Sequence, residues 1–465
     1  MAAARVLICD HMGLRLDAGG RPDFSEAKAH VESRGGFFHD CSVREAGWLA
    51  PDRIHFFYQP DLSSGDELLG EAGKGEYDAV ISAATILPAE TVFCLGGVRI
   101  GAGTGNMRSA SWGGSSGKGG EAALMNTPGI NSRATAQMVF KALLKVRPCL
   151  SVDELHARVS AGNFDTGRDL KNYPVDKLEG KRLAIIGYGN IGREVAKLGQ
   201  AFGMEVVVYA RERHRSGIEA DGCEYAPTIE RAAQGADVLS IHIGLGRFDD
   251  GNQRYANACV IDDTALLQLN CDAVLINYDR GELVDVQALS RAMAGGRVAH
   301  AAIDADLFKD AATGVLSGPM VPYLSLVDQF GDRLELLPHA AADTDHPSRV
   351  AGAKQAIDQI VAMIEDRHIH NLVGSLPEGY RDCGKQVPAG IGGLTGRRVA
   401  EIAQLDGVAG QLAKEAATLS EFWNGVQRAE GQRAFIEKYG RGMASAAGRM
   451  AQLMRQLGLQ APYDD

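Results

Sequence analysis

The sequence lacks any long hydrophobic run, although its 465 residues are enough for more than one domain. No apolar stretch approaches the roughly 20 residues that a helix needs to cross a bilayer, which argues against a membrane protein. The first residues, MAAARVLICDHMG, have neither the basic start nor the small-residue cleavage site of a secretory signal. We therefore expect the protein in the cytoplasm.

Paired cysteines and excess positive charge are missing as well. The eight cysteines form no CxxC pair, and no histidine stands near them at metal-ligand spacing, so we predict neither a disulfide framework nor a metal site. Lysine and arginine number 48 against 59 acidic residues, a net charge of -11. This balance disfavours a nucleic-acid partner and favours a small-molecule ligand.

What the sequence does contain is a repeated alternation of short apolar runs and helix-capable stretches. In the first 125 residues the runs include RVLICD, IHFFYQ and YDAVISA. A second series has segments between its runs that are long enough for crossover helices, and its predicted strands are 182–187, 205–209, 237–242, 272–277, 298–304 and 334–338. The two series predict an α/β protein with two doubly wound parallel sheets. From residue 381 to 465 the apolar spacing is helical, which predicts an α-helical extension.

Three spaced glycines follow the first strand of the second series. Gly187, Gly189 and Gly192 fit the pattern G-x-G-x-x-G between a strand and a helix. The first glycine permits a tight turn, the second lets a pyrophosphate approach the backbone, and the third lets the helix pack on the strand. We assign this loop, which also contains Tyr188, Asn190 and Ile191, to the binding of a dinucleotide.

The end of the next strand bears on which dinucleotide is bound. An acidic residue that accepts from the ribose 2′-hydroxyl of NAD is usual there, but this chain has Ala210, followed by Arg211 and Arg213 within the cluster RERHR. Guanidinium groups would stabilise the 2′-phosphate of NADP, which is our expectation. In the alternative, the arginines lie in solvent and Glu212 accepts from the ribose, and the cofactor is NAD.

From about residue 5 to 375 the chain resembles the D-isomer-specific 2-hydroxyacid dehydrogenases. The matching stretches are, in order, GYGNIGREVAKLGQAFGMEV, INYDRGELVD, AHAAID and LLPHAAADT. The resemblance implies a flavodoxin-like substrate domain of residues 1–127 and 345–380, and a Rossmann cofactor domain of residues 128–344. Residues 381–465 then form the separate helical extension. It further implies an active site between the domains and a homodimer.

The resemblance also implies catalytic residues. Arg280 matches the family's catalytic arginine, and a guanidinium can bind the carboxylate of a 2-oxoacid and polarise its carbonyl oxygen. His339 matches the general acid/base, a role that suits the pKa of imidazole. Asp304 matches the residue that holds the carboxamide of the nicotinamide.

One position departs from the family. The glutamate that normally charges the histidine lies five residues after the Asp304 position, where this chain has Lys309. A cation beside His339 would lower its pKa. Asp310 or Asp306 could supply the missing carboxylate, and our hypothesis is that Asp310 does so.

The substrate loop is expected in the first domain. The stretch IGAGTGN is similar to a loop of bacterial 3-phosphoglycerate dehydrogenases, and the resemblance implies that Gly101, Ala102 and Gly103 offer amides to the substrate carboxylate. Arg108 and Lys118, in the insert after this loop, could bind a substrate phosphate together with Arg133. The alternative is that the insert is a glycine-serine surface loop.

Two enzymatic functions and one of another class follow from these observations. The first is a dehydrogenase for a phosphorylated 2-hydroxyacid such as 3-phosphoglycerate, and the second is a reductase of glyoxylate or hydroxypyruvate that uses NADPH. The third is a nucleotide-sensing, corepressor-like protein on the same fold, which Lys309 and the helical extension favour. The retained Arg280 and His339 argue for an enzyme, because binding alone needs neither.

Overall fold

The computed structural model describes residues 3–62, 64–112, 120–249, 251–310, 313–339, 345–385, 407–428 and 432–456. The chain divides into two compact units, residues 1–130 together with 349–465, and residues 131–348. Among the helices of the described ranges, none is both long and apolar enough to cross a membrane.

The first unit contains a six-stranded sheet in which all strands are parallel. Its strands are β1 (Ala4–Ile8), β2 (Phe37–His39), β3 (Ile54–Tyr58), β4 (Ala79–Ser82), β5 (Gly96–Arg99) and β6 (Ala123–Asn126). They lie in the order β2-β3-β1-β4-β5-β6. Two helices, α1 (Ser25–Ser33) and α2 (Gly65–Ala72), belong to the same stretch of chain. A capping box begins α2, where Ser64 and Glu67 bond to each other's backbone amides.

Both faces of this sheet are buried. Val6 and Ile8 of β1 pack into one core, whereas Leu7 and Cys9 pack into another. Alternate residues of a strand point to opposite faces, so a strand that is buried on both sides is a continuous apolar run. This is why RVLICD predicts a strand without any alternation of polar residues.

The second unit contains a seven-stranded parallel sheet. Its strands are β7 (Arg182–Ile186), β8 (Glu205–Tyr209), β9 (Glu224–Ala226), β10 (Val238–Ile241), β13 (Ala273–Asn277), β14 (Val298–Ala305) and β17 (Leu334–Pro338). Their order is β17-β14-β13-β10-β7-β8-β9, a doubly wound arrangement that reverses at β7. Two small hairpins lie outside it, and their strands are β11 (Phe248–Asp249), β12 (Arg254–Tyr255), β15 (Phe308–Lys309) and β16 (Leu316–Ser317).

The helices of the second unit precede and connect these strands. They are α3 (Ser132–Val146), α4 (Val152–Ser160), α5 (Thr166–Asp169), α6 (Asn190–Ala201), α7 (Arg215–Ala220), α8 (Ile229–Ala233), α9 (Asp263–Leu266), α10 (Val286–Ala294), α11 (Val321–Leu324) and α12 (Val327–Phe330). Apolar side chains of α3 and α6 pack on one face of the sheet, and those of α8, α9 and α10 pack on the other.

After the second unit the chain returns to the first. Helix α13 (His346–Asp366) is followed by the short parallel pair β18 (His368–Ile369) and β19 (Arg381–Asp382). The last helices are α14 (Val408–Arg428) and α15 (Gln432–Gln456), which pack against each other. Phe435 of α15 lies against Gly425, and Phe422 of α14 lies against Gly442, so each helix has a ring seated on a glycine of the other.

The predicted fold class is confirmed, and the differences concern short strands. The three-residue strands β2 and β9 were not predicted, because FFH and EYA are too short to stand out as apolar runs. Strand β19 lies inside the segment for which the sequence predicts only helix. Its partner is the strand β18 that follows α13, a contact that the sequence pattern does not reveal.

Candidate active site

The glycine loop joins β7 to α6 at the carboxyl edge of the second sheet. Gly187 has a φ of 107°, and a Cβ there would collide with the carbonyl oxygen of His242. A Cβ at Gly192 would collide with the carbonyl of Gly187. The turn therefore requires glycine at these two positions, because a side chain at either one would collide with backbone atoms.

Gly189 differs from the other two glycines because a Cβ there would meet nothing within 4 Å. It is the N-cap of α6, and its lack of a side chain leaves the first amides of the helix uncapped, beginning with those of Asn190 and Ile191. Open space beside helix amides suits an anionic pyrophosphate, so the loop fits the dinucleotide that the sequence implies.

Tyr188 anchors the loop to the protein instead of pointing into open space. Its hydroxyl donates to Oδ2 of Asp221 at 2.7 Å, and Arg193 of α6 lies over its ring at 5.6 Å. Burial and the bond to Asp221 both raise the pKa of the Tyr188 hydroxyl, which stays protonated.

The residues after β8 are the ones that the sequence assigns to the ribose of the cofactor. Ala210 is 8% exposed, so this position offers neither a carboxylate nor room for one. Arg211 and Arg213 are both exposed, and in the described ranges neither takes part in an ion pair. The Nε of Arg213 lies 3.2 Å from Nε2 of His214.

Glu212, the alternative acceptor for the ribose hydroxyl, forms an ion pair with the first residue of α7. Nη1 of Arg215 lies 3.5 Å from its carboxylate, and the Glu212 side chain is 71% exposed. Arg215 also bonds to Glu219 at 2.9 Å and lies over the ring of Tyr225. Glu212 is therefore paired with α7 but is exposed, as Arg211 and Arg213 are.

The turn that carries Arg280 follows β13 and is fixed at both ends. Nδ2 of the buried Asn277 donates to the carbonyl of Arg280 at 2.8 Å. The hydroxyl of Tyr323 donates to the carbonyl of Gly281 at 2.6 Å. A Cβ at Gly281 would lie 2.7 Å from Cβ of Ala305, so the turn lies directly against β14. The guanidinium is thus presented by a rigid backbone.

His339 and Asp304 are brought together by two adjacent parallel strands. Ala305 of β14 pairs with Pro338 of β17, and the amide of His339 donates to the carbonyl of Ala305 at 3.0 Å. Nδ1 of His339 then lies 3.1 Å from Oδ1 of Asp304, whose side chain is almost fully buried. With its Nδ1–H on Asp304, the imidazole presents Nε2 as the atom that exchanges a proton.

The pKa of His339 is raised by this arrangement. Burial is the strongest single influence and lowers it, and the positive charge of Arg280 lowers it further. The hydrogen bond and the charge of Asp304, with a smaller contribution from Asp306, more than offset both. A protonated imidazole is therefore favoured beside Arg280.

The contacts of the described residues do not support the hypothesis that Asp310 pairs with His339, which stays a prediction. The Asp310 carboxylate accepts from the amide and the hydroxyl of Thr313, in the turn of the β15–β16 hairpin. Asp304 holds the imidazole because its strand neighbours β17, whereas the chain from residue 307 to 310 is exposed. Lys309 is exposed on β15, and the cation that acts on His339 is Arg280.

Sequence reasoning missed Asp279, a second acid of this site. It directly precedes Arg280, and its amide donates to Oδ1 of Asn277 at 3.3 Å. Burial is the strongest influence on its carboxyl group and raises the pKa. The charges of Arg280 and His339 lower the pKa, the charge of Asp304 raises it, and the net effect is a pKa raised to about 7. The sequence feature that could have identified Asp279 is an acidic residue between a buried strand and the arginine that is expected to be catalytic.

The loop predicted to bind the substrate carboxylate belongs to the first unit. Gly101 has a φ of 115°, and the Arg99 guanidinium occupies the space of a side chain there. The Gly101 amide donates to Oγ1 of Thr127 at 2.7 Å, so it is already engaged. Ala102 and Gly103 are exposed, and their amides bond to no other residue that the structure describes.

Two of the residues predicted to bind a phosphate, Arg108 and Arg133, belong to different units of the chain. Arg108 is exposed, and its Nε lies 3.4 Å from the carbonyl of Gly105. Arg133 is paired with Glu194 of α6 at 3.4 Å. Lys118 lies outside the described residues. A search of the described ranges finds no cluster of three or more His, Cys, Asp or Glu side chains that could hold a metal ion.

A doubly wound sheet with an open glycine turn at its switch point, and with arginine and histidine at the ends of the two strands that flank β14, is typical of a dinucleotide-binding enzyme domain. Residues 146–312 match the family model described as D-isomer specific 2-hydroxyacid dehydrogenase, NAD binding domain. A glyoxylate reductase from Aeropyrum pernix is 30% identical over 249 residues, which cover 53% of this chain and 68% of that protein. The chain belongs to the D-isomer-specific 2-hydroxyacid dehydrogenases.

Other relatives agree with this assignment. A D-3-phosphoglycerate dehydrogenase from Methanocaldococcus jannaschii is 26% identical over 306 residues, 64% of this chain and 53% of that protein. The crystal structure of a glyoxylate reductase from Paecilomyes thermophila has a TM-score of 0.53 at 20% identity, covering 81% of this chain and 99% of that one. By family the chain is an oxidoreductase with a nicotinamide cofactor, and these relatives give no support to the corepressor-like alternative.

Proposed function

We propose that the protein is a reductase of a small 2-oxoacid of the glyoxylate or hydroxypyruvate type, with NADPH as the cofactor. The observation that carries this proposal is the convergence of three strand ends. The turn after β13 carries Arg280, the end of β14 carries Asp304, and His339 follows β17. All three lie at the carboxyl edge that also carries the glycine loop, where ligands of doubly wound sheets bind.

Each of these side chains has a role in the reduction. Arg280 binds the substrate carboxylate and stabilises the negative charge that develops on the carbonyl oxygen. His339 donates the proton from Nε2 to that oxygen, and Asp304 keeps the imidazole protonated and oriented. The bound nicotinamide supplies the hydride. The contact of Asp304 with the nicotinamide carboxamide, implied by the family resemblance, stays a prediction.

The preference for NADPH rests on the turn after β8. The exposed Arg211 and Arg213 have no ion-pair partner in the described ranges and can form charge-assisted hydrogen bonds with a 2′-phosphate, whereas Glu212 is paired with Arg215. The preference for a small substrate rests on the phosphate residues. Arg133, one of the residues expected to bind a phosphate, is already paired with Glu194.

The remaining assignments stay predictions. We assign substrate binding to residues 1–127 and 345–380, with open amides at Ala102 and Gly103, and cofactor binding to residues 128–344. Residues 381–465 are assigned to the helical extension. The homodimer and the cytoplasmic location were expected from the sequence and are carried forward as such.

The activity is tested by NADPH or NADH consumption with glyoxylate, hydroxypyruvate and 3-phosphohydroxypyruvate. We expect reduction of one of the first two, and we expect His339→Asn and Arg280→Gln to lower kcat/KM by about 10²-fold or more without weakening the binding of NADPH. Preference for the phosphorylated substrate would support the phosphoglycerate alternative. Tight NADPH binding without any turnover would contradict the enzyme and support a nucleotide sensor.

The cofactor preference is tested with the double variant Arg211→Gln/Arg213→Gln. A hydrogen bond to a charged group contributes roughly 1.5–3 kcal/mol, so we expect the KM for NADPH to rise by about tenfold or more while the KM for NADH stays within about twofold. Arg231→Gln, an exposed arginine of α8, is the matched control and should change neither. An unchanged ratio of the two KM values in the double variant would contradict the assignment to NADPH.

A further inference from the structure

A hydrogen bond between Tyr278 and Glu335 joins the two strands that lead to Arg280 and His339. The hydroxyl of Tyr278, which directly follows β13, donates to Oε1 of Glu335 on β17 at 2.9 Å. Arg280 lies two residues after Tyr278, and His339 lies four residues after Glu335. The strands β13 and β17 are not neighbours, because β14 lies between them. The bond therefore connects the two outer strands directly, across the strand that carries Asp304.

The register of the sheet shows how the bond crosses β14. Ile276 of β13 pairs with Ala302 of β14, and Ala302 pairs with Glu335 of β17. Tyr278 lies two residues after Ile276, so its side chain is on the same face of the sheet as Ala302 and Glu335. Adjacent strands are about 4.8 Å apart, so the tyrosine and glutamate side chains meet over Ala302, whose methyl group leaves room for them. Tyr278 and Ala302 belong to one apolar core.

Both oxygens of the Glu335 carboxylate have a partner. Oε1 accepts from Tyr278, and Oε2 pairs with Nζ of Lys145 near the end of α3. The Glu335 side chain is 17% exposed and Tyr278 is 5% exposed, so water competes little for the bond. Burial, followed by the charge of Glu335 and the hydrogen bond to it, raises the pKa of Tyr278, so the phenol stays protonated and donates. A buried hydrogen bond to a charged acceptor is a strong one.

We propose that Tyr278 and Glu335 are positioning residues, which set the distance between the guanidinium of Arg280 and the imidazole of His339. This inference rests on the proposed function, in which both groups act on one carbonyl oxygen. The backbone ladder between β13 and β14 ends at Asn277, so the turn that carries Arg280 lies beyond it. The bond between Tyr278 and Glu335 holds the start of this turn to the strand that ends beside His339.

The distance between the two groups matters chiefly in the transition state. In the ground state the substrate carboxylate binds to Arg280. The carbonyl oxygen interacts strongly with the guanidinium and with the proton of His339 only as it becomes negative. Loss of the bond should therefore lower kcat and leave KM nearly unchanged. Because the slowed step is the proton transfer, the solvent deuterium isotope effect on kcat should increase.

The test compares the wild type with Tyr278→Phe in the reduction of glyoxylate or hydroxypyruvate by NADPH. The variant keeps the ring over Ala302 and removes only the hydroxyl. We expect kcat to fall by about tenfold or more, since a misplacement of about 1 Å can cost about 10²-fold. The KM values for the 2-oxoacid and for NADPH should stay within about twofold. The kcat is expressed per NADPH-binding site, titrated by NADPH fluorescence, so that misfolded protein does not count.

Two variants of Glu335 separate the hydrogen bond from the ion pair. In Glu335→Gln the side-chain oxygen can still accept from Tyr278, although the charge that pairs with Lys145 is lost, so kcat should stay within about threefold. Glu335→Leu removes the acceptor and should lower kcat as much as Tyr278→Phe does. The double variant Tyr278→Phe/Glu335→Leu should be no slower than either single variant, because each removes the same bond.

Tyr173→Phe is the matched control. The hydroxyl of Tyr173, which follows α5, donates to Oε1 of Glu154 on α4 at 2.5 Å, so this variant also removes a bond from tyrosine to glutamate. It should leave kcat and the solvent isotope effect as they are in the wild type. A fall of kcat in Tyr173→Phe equal to that in Tyr278→Phe would overturn the positioning role, because loss of any such bond would then have the same effect.

The remaining failures can be told apart. If the wild type reduces no 2-oxoacid, the proposed function and this inference are both overturned. If the wild type turns over and both Tyr278→Phe and Glu335→Leu keep its kcat, the inference alone is overturned. A fall of kcat in Glu335→Gln as large as that in Glu335→Leu would assign the effect to the charge of Glu335 and has the same meaning.

Discussion

The partner of His339 shows that the contacts of a residue depend on its three-dimensional surroundings. The sequence predicts the histidine and the arginine of the site from their motifs, but it suggests Asp310 as the carboxylate because that residue follows Lys309. The pairing is decided instead by the register of β14 and β17, which sets Asp304 beside His339 although the two are 35 positions apart. Strand register is not visible in motif spacing.

Asp304→Asn tests the pairing through the pH dependence of the reaction. The variant loses the hydrogen bond and the charge that raise the pKa of His339, while burial and Arg280 still lower it. Because the protonated imidazole is the proton donor, the alkaline decline of kcat/KM for reduction should move to lower pH by about one unit or more.

Asp310→Asn is the matched control for this substitution. It removes the same charge from the β15–β16 turn and should leave the pH profile unchanged. The reverse result, a shift in Asp310→Asn and none in Asp304→Asn, would restore the original hypothesis that Asp310 charges the imidazole.

Asp279 was missed for a different reason. In the sequence it appears as a polar residue in a turn, where acidic residues are common. Only the neighbouring strand ends show that it is partly buried among Arg280, Asp304 and His339. The chemistry of this residue comes from its surroundings and not from its type.

At the scale of elements, the strands were predicted best where they are buried on both faces. All strands of the second sheet except β9 were anticipated within one or two residues, because runs such as RLAII and AVLIN are continuously apolar. The short strands β2, β9 and β19 depend on a neighbour for their conformation and carry no signal of their own. Within the segment that was predicted to be a helical extension, the structure describes the two helices α14 and α15.

The pairing of α14 with α15 can be tested at its glycines. A Cβ at Gly425 would lie 2.5 Å from the ring of Phe435, so Gly425→Ala must displace the ring. Overpacking costs about 1–3 kcal/mol, more than the roughly 1 kcal/mol that alanine contributes to helix formation. The net loss is up to about 2 kcal/mol, so we expect hydrogen exchange of the α14 amides to become up to about thirtyfold faster.

Gly448→Ala is the control within the same pair of helices. A Cβ at Gly448 would meet nothing within 4 Å, so only the gain in helix propensity remains and exchange should become slower. Equal effects of the two substitutions would show that Phe435 does not lie on Gly425 in solution.

For the whole molecule, two compact units with separate cores predict two steps of unfolding. The residues of each core belong to one unit, and the proposed cofactor loop belongs to residues 131–348. A ligand stabilises the part that binds it, by about 2.7 kcal/mol at 100 times its Kd.

Scanning calorimetry with and without NADPH tests this prediction. We expect two transitions, of which NADPH raises the one that belongs to residues 131–348 by more than the other. Ile185→Ala, in the core of that unit, should lower the same transition and so identify it. A single transition that NADPH shifts as a whole would show that the units unfold together.

The pairing of β14 with β17 affects which parts of the sequence can change during evolution without disturbing the site. The ends of these two paired strands set Asp304 and His339 side by side, whereas residues 307–310 of the connection between the strands are exposed. Insertions, deletions or altered charges in residues 307–317 can therefore accumulate without separating Asp304 from His339. Lys309 lies in that exposed stretch, so the lysine at the family's glutamate position does not interrupt the contact between Asp304 and His339.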